Sequence, residues 1–434
     1  MTTSARRVVI TGVGILSPIG TGRDAYWESL SAKRPGIGVV ERLATALPGN
    51  VGGEVKAWFD DGTARKGLLK PQRKSVKVMC REIQFGVGSA NLAIDNSGLD
   101  LTAIDHERLG VEFGANQMFS PPPVLGDSCF ASSTDGKFDF NRWGEDGLPT
   151  MDPLWLLKYL PNMPACHIGI HVDARGPNNS LTMAEASGNS VLAEALRIIV
   201  RGRADMMLAG STGSRLHPTK CLHAALWDEL ADFNGDADPS TWCRPFDASR
   251  GGQVVGEGAC TLILEEEGHA QARGAEILGT VLGAGASCVI DRSGQPNHRQ
   301  ALVNAMQSAL RDADVSPSDV GHINAHGLGG RESDVIESQA IHDVFGESAS
   351  SVPVTSIKGN IGNSGAASGT LELAASLLGL QNGVIPATLN CTEPANECDL
   401  NVVTGDHLAT SNKVVLNLNV TSNGQAAVIV ACGA

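Results

Sequence analysis

Aromatic residues make up only 4% of the 434 residues, and the ten cysteines contain no Cys-x-x-Cys pair. Ribbon-type zinc sites and disulfide scaffolds are therefore not indicated, and the cysteines read as reduced thiols in a reducing compartment. Basic residues are also scarce relative to acidic ones, leaving a formal charge of −14. That balance argues against nucleic acid as the main partner, since phosphate binding calls for a clustered basic surface. No apolar run is long enough to span a bilayer, and Met1 to Arg7 leads into Val8-Val9-Ile10 with no apolar secretory stretch. The expectation is a cytoplasmic chain without a membrane partner.

Hydrophobic residues at 42% and 51 scattered glycines describe a turn-rich chain able to bury a large core. Strand-like runs at Arg7 to Ile10, Met206 to Leu208, Ala259 to Leu264, Ile277 to Leu282, His322 to Ala325 and Val414 to Val420 alternate with helical segments. Lys77 to Asn96 and Ala186 to Val200 carry apolar residues at helical spacing. The pattern predicts an α/β layered fold. The Glu-Glu-Glu-Gly run at Glu265 to Gly268 marks a boundary between halves 1–268 and 269–434 that share one core. Gln117 to Pro153, rich in Ser, Pro, Gly and Asp, reads as a functional surface loop or cap.

Two motifs invite cofactor readings and lose them. Gly12-Val13-Gly14 follows a strand but has Ser17 where a dinucleotide fingerprint has its third glycine, so a tight structural turn is expected. His167/His171 and His322/His326 are spaced i, i+4 without a His-Glu-x-x-His motif or a cysteine pair, so no metal is assigned. No cofactor is expected.

Three blocks in order carry a stronger signal: VVITGVGILSPIG at Val8 to Gly20, LPNMPACHIGIHVDARGPN at Leu160 to Asn178, and RPFDASRGGQVVGEGA at Arg244 to Ala259. Together they resemble the elongating β-ketoacyl-acyl-carrier-protein synthases along nearly the whole chain. The resemblance implies a thiolase-like α-β-α-β-α fold and a nucleophilic cysteine at a strand-to-helix turn, where a helix N-terminus favours the thiolate. It also implies two histidines that assist decarboxylation and a nearby lysine. By motif, the first histidine is His326 in Ala-His-Gly and the lysine is Lys358 in Lys-Gly-Asn-Ile-Gly.

The other two positions depart from the family. The nucleophile slot is Glu185, and the second histidine slot is Asn363. The glycine- and phenylalanine-rich gate loop, source of an oxyanion-hole N–H, is replaced by Asn419, Val420, Thr421, Ser422 and Asn423. An ionised glutamate only accepts hydrogen bonds and repels an enolate or oxyanion, and asparagine can donate a hydrogen bond but cannot take up a proton or a positive charge. Standard condensation is expected to be lost. A plug is the favoured role for Glu185, paired with Lys358 or protonated His326; a general base is the other. Asp334 and Glu337 are expected to brace the histidine loop.

This pattern resembles the chain-length-factor, or ketosynthase-β, subunits of type II polyketide systems, although glutamine is usual where Glu185 stands. The resemblance implies an acyl carrier protein and a cysteine-containing ketosynthase as partners, the latter in a heterodimer. It further implies dimerisation through a strand, with which the run Ala204 to Gly210 is compatible. The basic cluster Lys66, Lys70, Arg73, Lys74, Lys77 and Arg81 is either a carrier-docking patch, centred on Arg73, Lys74 and Lys77, or a solvated helix face. Two alternatives remain: an acyl-thioester enzyme using Glu185, His326 and Lys358 as decarboxylase, hydrolase or altered synthase, and a homodimeric scaffold or acyl sensor.

Overall fold

The computed structural model describes residues 6–58, 63–233 and 238–434. Its spine is a twelve-stranded sheet, eleven strands in one path and the short Gly20–Thr21 strand beside the first of them. The first half supplies β1 (Val8–Ser17), β2 (Leu109–Ala115), β3 (Asn178–Leu181), β4 (Met206–Ser214) and β5 (Glu257–Glu266). The second supplies β6 (Gly279–Cys288), β7 (His322–Asn324), β8 (Pro353–Thr355), β9 (Asn401–Val402), β10 (Val414–Val420) and β11 (Gln425–Gly433). Outward from the junction, the first half runs β1-β5-β4-β2-β3 and the second β6-β11-β10-β7-β8, with β9 beyond. Each half therefore places its strands in the same order. They join where Val8 to Ile10 pair antiparallel with Gly279 to Val281.

Helices cover both faces of the sheet and fill the space between its halves. The first half is covered by α1 (Arg81–Ser97) and α2 (Met163–Val172). One central helix is α3 (Ser187–Val200), and α4 (Pro218–Trp227) follows β4. The second half is covered by α5 (His298–Ala313), against which α6 (Ser333–Phe345) packs, and the other central helix is α7 (Ser368–Gln381). Both α3 and α7 touch strands of both halves. Three large apolar cores result among the described residues: one outside each half-sheet and one in the middle around α3 and α7. This is the thiolase-like α-β-α-β-α arrangement, and strands buried on both faces explain the continuous apolar runs of β4 and β5.

The central helices can approach closely because glycine faces glycine. A Cβ on Gly188 would lie 2.9 Å from the Thr370 N–H nitrogen and 3.1 Å from Gly369 Cα. Asparagines bind the middle layer together. Asn189 donates to the carbonyls of Asn417 and Ala427 at 3.1 and 3.0 Å, and Asn417 donates back to Asn189 Oδ1 at 2.8 Å.

Three local expectations change. Gly12 and Gly14 lie inside β1, not at a turn: a Cβ on Gly14 would sit 2.0 Å from the Ser89 carbonyl oxygen, so glycine is needed for α1 to pack on the strand. The Ala204 to Gly210 run enters β4, which is hydrogen-bonded on both sides, to β5 and β2. It offers no free edge to a second subunit; the outer strand of the first half is β3. The first long helix begins at Arg81, after a separate short turn at Val76–Val78. No helix among the described residues is long and apolar enough to cross a membrane.

Candidate functional site

The chain leaves β3 and enters α3 through a sharp bend. Ala184 takes φ +43°, Ala184–Ala186 form a single 3-10 turn, and the Met183 N–H donates to Ser187 Oγ at 2.9 Å. A non-glycine residue at positive φ is held there by its surroundings. The bend carries Glu185 to the N-terminal end of α3, where a carboxylate is electrostatically favoured. Glu185 lines a cleft of about 620 Å³ together with Arg215, Asp228, Gln253, His326 and Asn363.

Within the cleft Glu185 is held by two neighbours. Asn363 Nδ2 donates to Glu185 Oε1 at 3.1 Å, and the Arg215 guanidinium lies 3.6 Å from the same oxygen. Arg215 also forms an ion pair with Asp228 and donates to Gln253 Oε1 at 3.0 Å, which in turn accepts from Asn363 Nδ2 at 2.7 Å. Asn363 Oδ1 accepts from the Gly365 N–H at 2.9 Å, which fixes the amide with its nitrogen toward Glu185. The donors that face the bend are thus already committed to a protein carboxylate.

Beneath the cleft, Lys358 and Glu372 form a fully buried ion pair, and Lys358 Nζ donates to the His326 carbonyl at 2.8 Å. Asn419 Nδ2 donates to Glu372 Oε2 at 2.8 Å and lies 3.3 Å from His326 Nδ1. Because the carboxylate fixes that amide as donor, His326 Nδ1 accepts and its proton sits on Nε2. Burial holds His326 well below the usual imidazole range, helped by Lys358, His298 and Arg215, so the ring is neutral. Its backbone loop is clasped by two acids. Glu337 accepts from the N–H groups of His326 and Gly327 at 2.6 and 2.8 Å, and Asp334 from those of Phe246 and Gly329 at 2.8 and 3.1 Å. Burial pushes Glu337 up to about 7 and Asp334 up to about 6, against these donors.

The turn after β10 is closed on itself. The Thr421 N–H donates to the Gln425 carbonyl at 2.8 Å, and the Gly424 N–H to the Thr421 carbonyl at 3.1 Å. His298 Nε2 lies 3.1 Å from the Ser422 carbonyl. An amide bonded within a hairpin is not available to a developing oxyanion.

Residues 5–270 match the β-ketoacyl synthase N-terminal domain and residues 278–392 the β-ketoacyl synthase C-terminal domain. The chain belongs to the β-ketoacyl synthase family. It is 34% identical over 405 residues to the oxytetracycline polyketide putative β-ketoacyl synthase 1 of Streptomyces rimosus, covering 92% of this chain and 90% of the relative. In structure it is similar to the ishigamide ketosynthase/chain length factor, with a TM-score of 0.85, 28% identity and 99% and 100% of the two chains covered. It is also similar to a type II polyketide-synthase acyl-carrier protein complex with its ketosynthase bound to the hexaketide, with a TM-score of 0.84, 26% identity and 99% and 100% covered.

Of the positions that the ketosynthase motifs mark, Glu185, His326, Asn363, Asp334, Glu337, Val420, Thr421 and Ser422 line the one cleft. Lys358 and Asn419 are buried beneath it. The pairing of Glu185 with Lys358 or protonated His326 is not what the fold makes: Lys358 is taken by Glu372, and His326 is neutral. Arg215 is the cation beside Glu185. Arg73, Lys74 and Lys77 are exposed on the turn before α1, as are Lys66 and Lys70, whereas Arg81 leaves that cluster to pair with buried Glu257. Of the 117–153 stretch, Gln117 and Phe119 reach the cleft, and the remainder builds a small module that exposes Phe130 and Phe140 by 79% and 76%. Sequence reasoning missed Arg215, Asp228, Gln253 and Glu372. Gln253 lay within the Arg244 to Ala259 block, and Glu372 had a local signal as an acid between Leu371 and Leu373 in an apolar helix.

Proposed function

We propose that this chain is a non-condensing ketosynthase subunit that acts in the cytoplasm. It pairs with a cysteine-containing ketosynthase in type II polyketide or fatty-acid-like biosynthesis and shapes the length of the product. One observation carries the reading: Glu185, at the position that we assign to the nucleophile, is a carboxylate that Arg215 and Asn363 keep in place. Among the described residues that line the cleft there is no cysteine to replace the missing thiol. Condensation builds negative charge beside the nucleophile, and a fixed carboxylate opposes that charge. The structural likeness to a ketosynthase/chain length factor supports the pairing. The exposed cations Lys66, Lys70, Arg73, Lys74 and Lys77 supply a surface to which an acidic carrier protein can be steered.

The test is co-purification with the cysteine-containing ketosynthase and carrier protein of the same system, followed by product analysis with and without this chain. A stable mixed dimer whose product the synthase alone does not make is the expected result. Turnover of malonyl-carrier protein by the isolated chain, abolished by Glu185→Ala, would instead make it an enzyme with altered acyl chemistry. A self-dimer that ignores every synthase offered would make it a scaffold or sensor.

A further inference from the structure

His326 and Gln253 both line the cleft, and they are only 3% and 8% exposed. The Asn419 amide occupies His326 Nδ1, and Gln253 Oε1 accepts from Arg215 and Asn363. The His326 Nε2–H and the Gln253 amide nitrogen are then donors with no partner among the described residues. Glu185 is their counterpart: Asn363 and Arg215 both address its Oε1, and Oε2 accepts from no donor among the described residues. Two unused donors and one unused acceptor converging on a single cleft describe a site for a polar ligand that carries both kinds of group.

The charge of the lining narrows the ligand. Its acids are Glu185, Asp228, Glu229, Glu332, Asp334 and Glu337, and its cations are Arg215 and Lys220. Lys220 is neutralised by buried Glu82, and Arg215 is one cation shared by two carboxylates, those of Glu185 and Asp228. Asp334 and Glu337 are engaged by backbone N–H groups, whereas Glu229 and Glu332 are exposed. Trp227, 83% exposed, adds an indole face to the same lining. An anionic acyl group would enter against this field, while a cation is drawn by it and can rest on the indole.

We propose that the cleft binds an aminoacyl group, its ammonium against Glu185 Oε2 and its acyl carbonyl accepting from the His326 Nε2–H. The inference rests on the reading above, in which Glu185 is a fixed carboxylate and not a nucleophile, and names the class of acyl group that this subunit admits. An ammonium supplies the donor that Oε2 lacks and offsets the second carboxylate beside Arg215. The carbonyl takes up the donor that His326 leaves unused, with the Gln253 amide beside it as a further donor. No bond forms or breaks: the site selects by charge and hydrogen bonding alone.

Isothermal titration of the full chain with β-alanyl-, butyryl- and malonyl-pantetheine at neutral pH tests the proposal. The three probes share one thioester and differ in carrying an ammonium, a methyl or a carboxylate at the end of a short acyl group. β-Alanyl-pantetheine is expected to bind about tenfold more tightly than butyryl-pantetheine, with malonyl-pantetheine the weakest. In Glu185→Gln that preference is expected to collapse while the affinity for butyryl-pantetheine stays the same, a split that a general loosening of the cleft would not produce. Should the variant fail to fold, the comparison of the three probes on the wild type still decides. Equal binding of the β-alanyl and butyryl probes, tighter binding of the malonyl probe, binding of none of them, or a preference that survives Glu185→Gln overturns the inference. The titration needs no synthase, so its failure leaves the pairing reading standing, and that reading fails separately if no mixed dimer forms.

Discussion

Arg215 sits between two carboxylates, those of Glu185 and Asp228, and all three side chains are less than a fifth exposed. Replacing it by methionine leaves two like charges facing each other without a counter-ion. Arg215→Met is expected to lose about 2 kcal/mol in urea unfolding, less than removal of one partner from a fully buried pair. No measurable loss would mean that solvent already screens the cluster. Placing a thiol at position 185 is expected to be insufficient for chemistry. In Glu185→Cys the sulfur would stand at a helix N-terminus near Arg215, which favours thiolate, so alkylation by iodoacetamide is expected by mass spectrometry. Yet Asn363 has no titratable proton, and the Thr421 N–H is bonded to Gln425. No 3-oxoacyl product is therefore expected from the variant alone, and ready condensation would show that neither position matters.

At the scale of elements, the turn joining β10 to β11 decides whether a gate exists. Thr421 Oγ1 accepts from the N–H groups of Asn423 and Gln425, in addition to the backbone bonds across the turn. Slow amide exchange is expected at Thr421 in hydrogen-exchange measurements, and exchange as fast as in an open loop would restore a mobile gate. Gly424 has φ +75°, and an added Cβ would lie 2.8 Å from the Val289 carbonyl oxygen. Gly424→Ala is therefore expected to cost about 1–2 kcal/mol in urea unfolding. The bounds of β10 were readable because its alternation of apolar and polar residues is local, and they coincide with Val414–Val420. Glu185, which the register of the Gly-Pro-Asn block singled out, stands in the bend before α3. Its partner was not readable: Asn363 is 178 positions away, and Arg215 follows β4 with no motif around it. Pairing across layers depends on which side chains the fold brings together, and short spacing carries no trace of that.

For the whole molecule, stability should depend on pH through its buried acids. Burial raises Glu112 and Glu337 to about 7 and Asp334 to about 6. A carboxyl raised on folding contributes stability below its unfolded value, and that contribution is lost as pH rises through its folded value. Half-buried His217 and buried His322, lowered to about 4 and about 3, act in the opposite sense, but their contribution is complete above the ordinary imidazole value of about 6.5. The urea midpoint is therefore expected to fall between about pH 6.5 and pH 8, and a rising midpoint would show that these acids are solvated or paired.

The glycine contact between α3 and α7 has one more consequence. Ala186-Ser187-Gly188 and Ala367-Ser368-Gly369 repeat the same triplet, each after a short 3-10 turn, with positive φ at Ala184 and at Gly365. The repeat is what an ancient doubling of one ancestral half would leave behind. Aligned on it, the counterpart of Glu185 is Ala366, which is sealed from solvent. Of two equivalent corners inherited from one parent, only one opens outward, and the duplicated architecture is one-sided in what it can offer to a substrate or a growing chain.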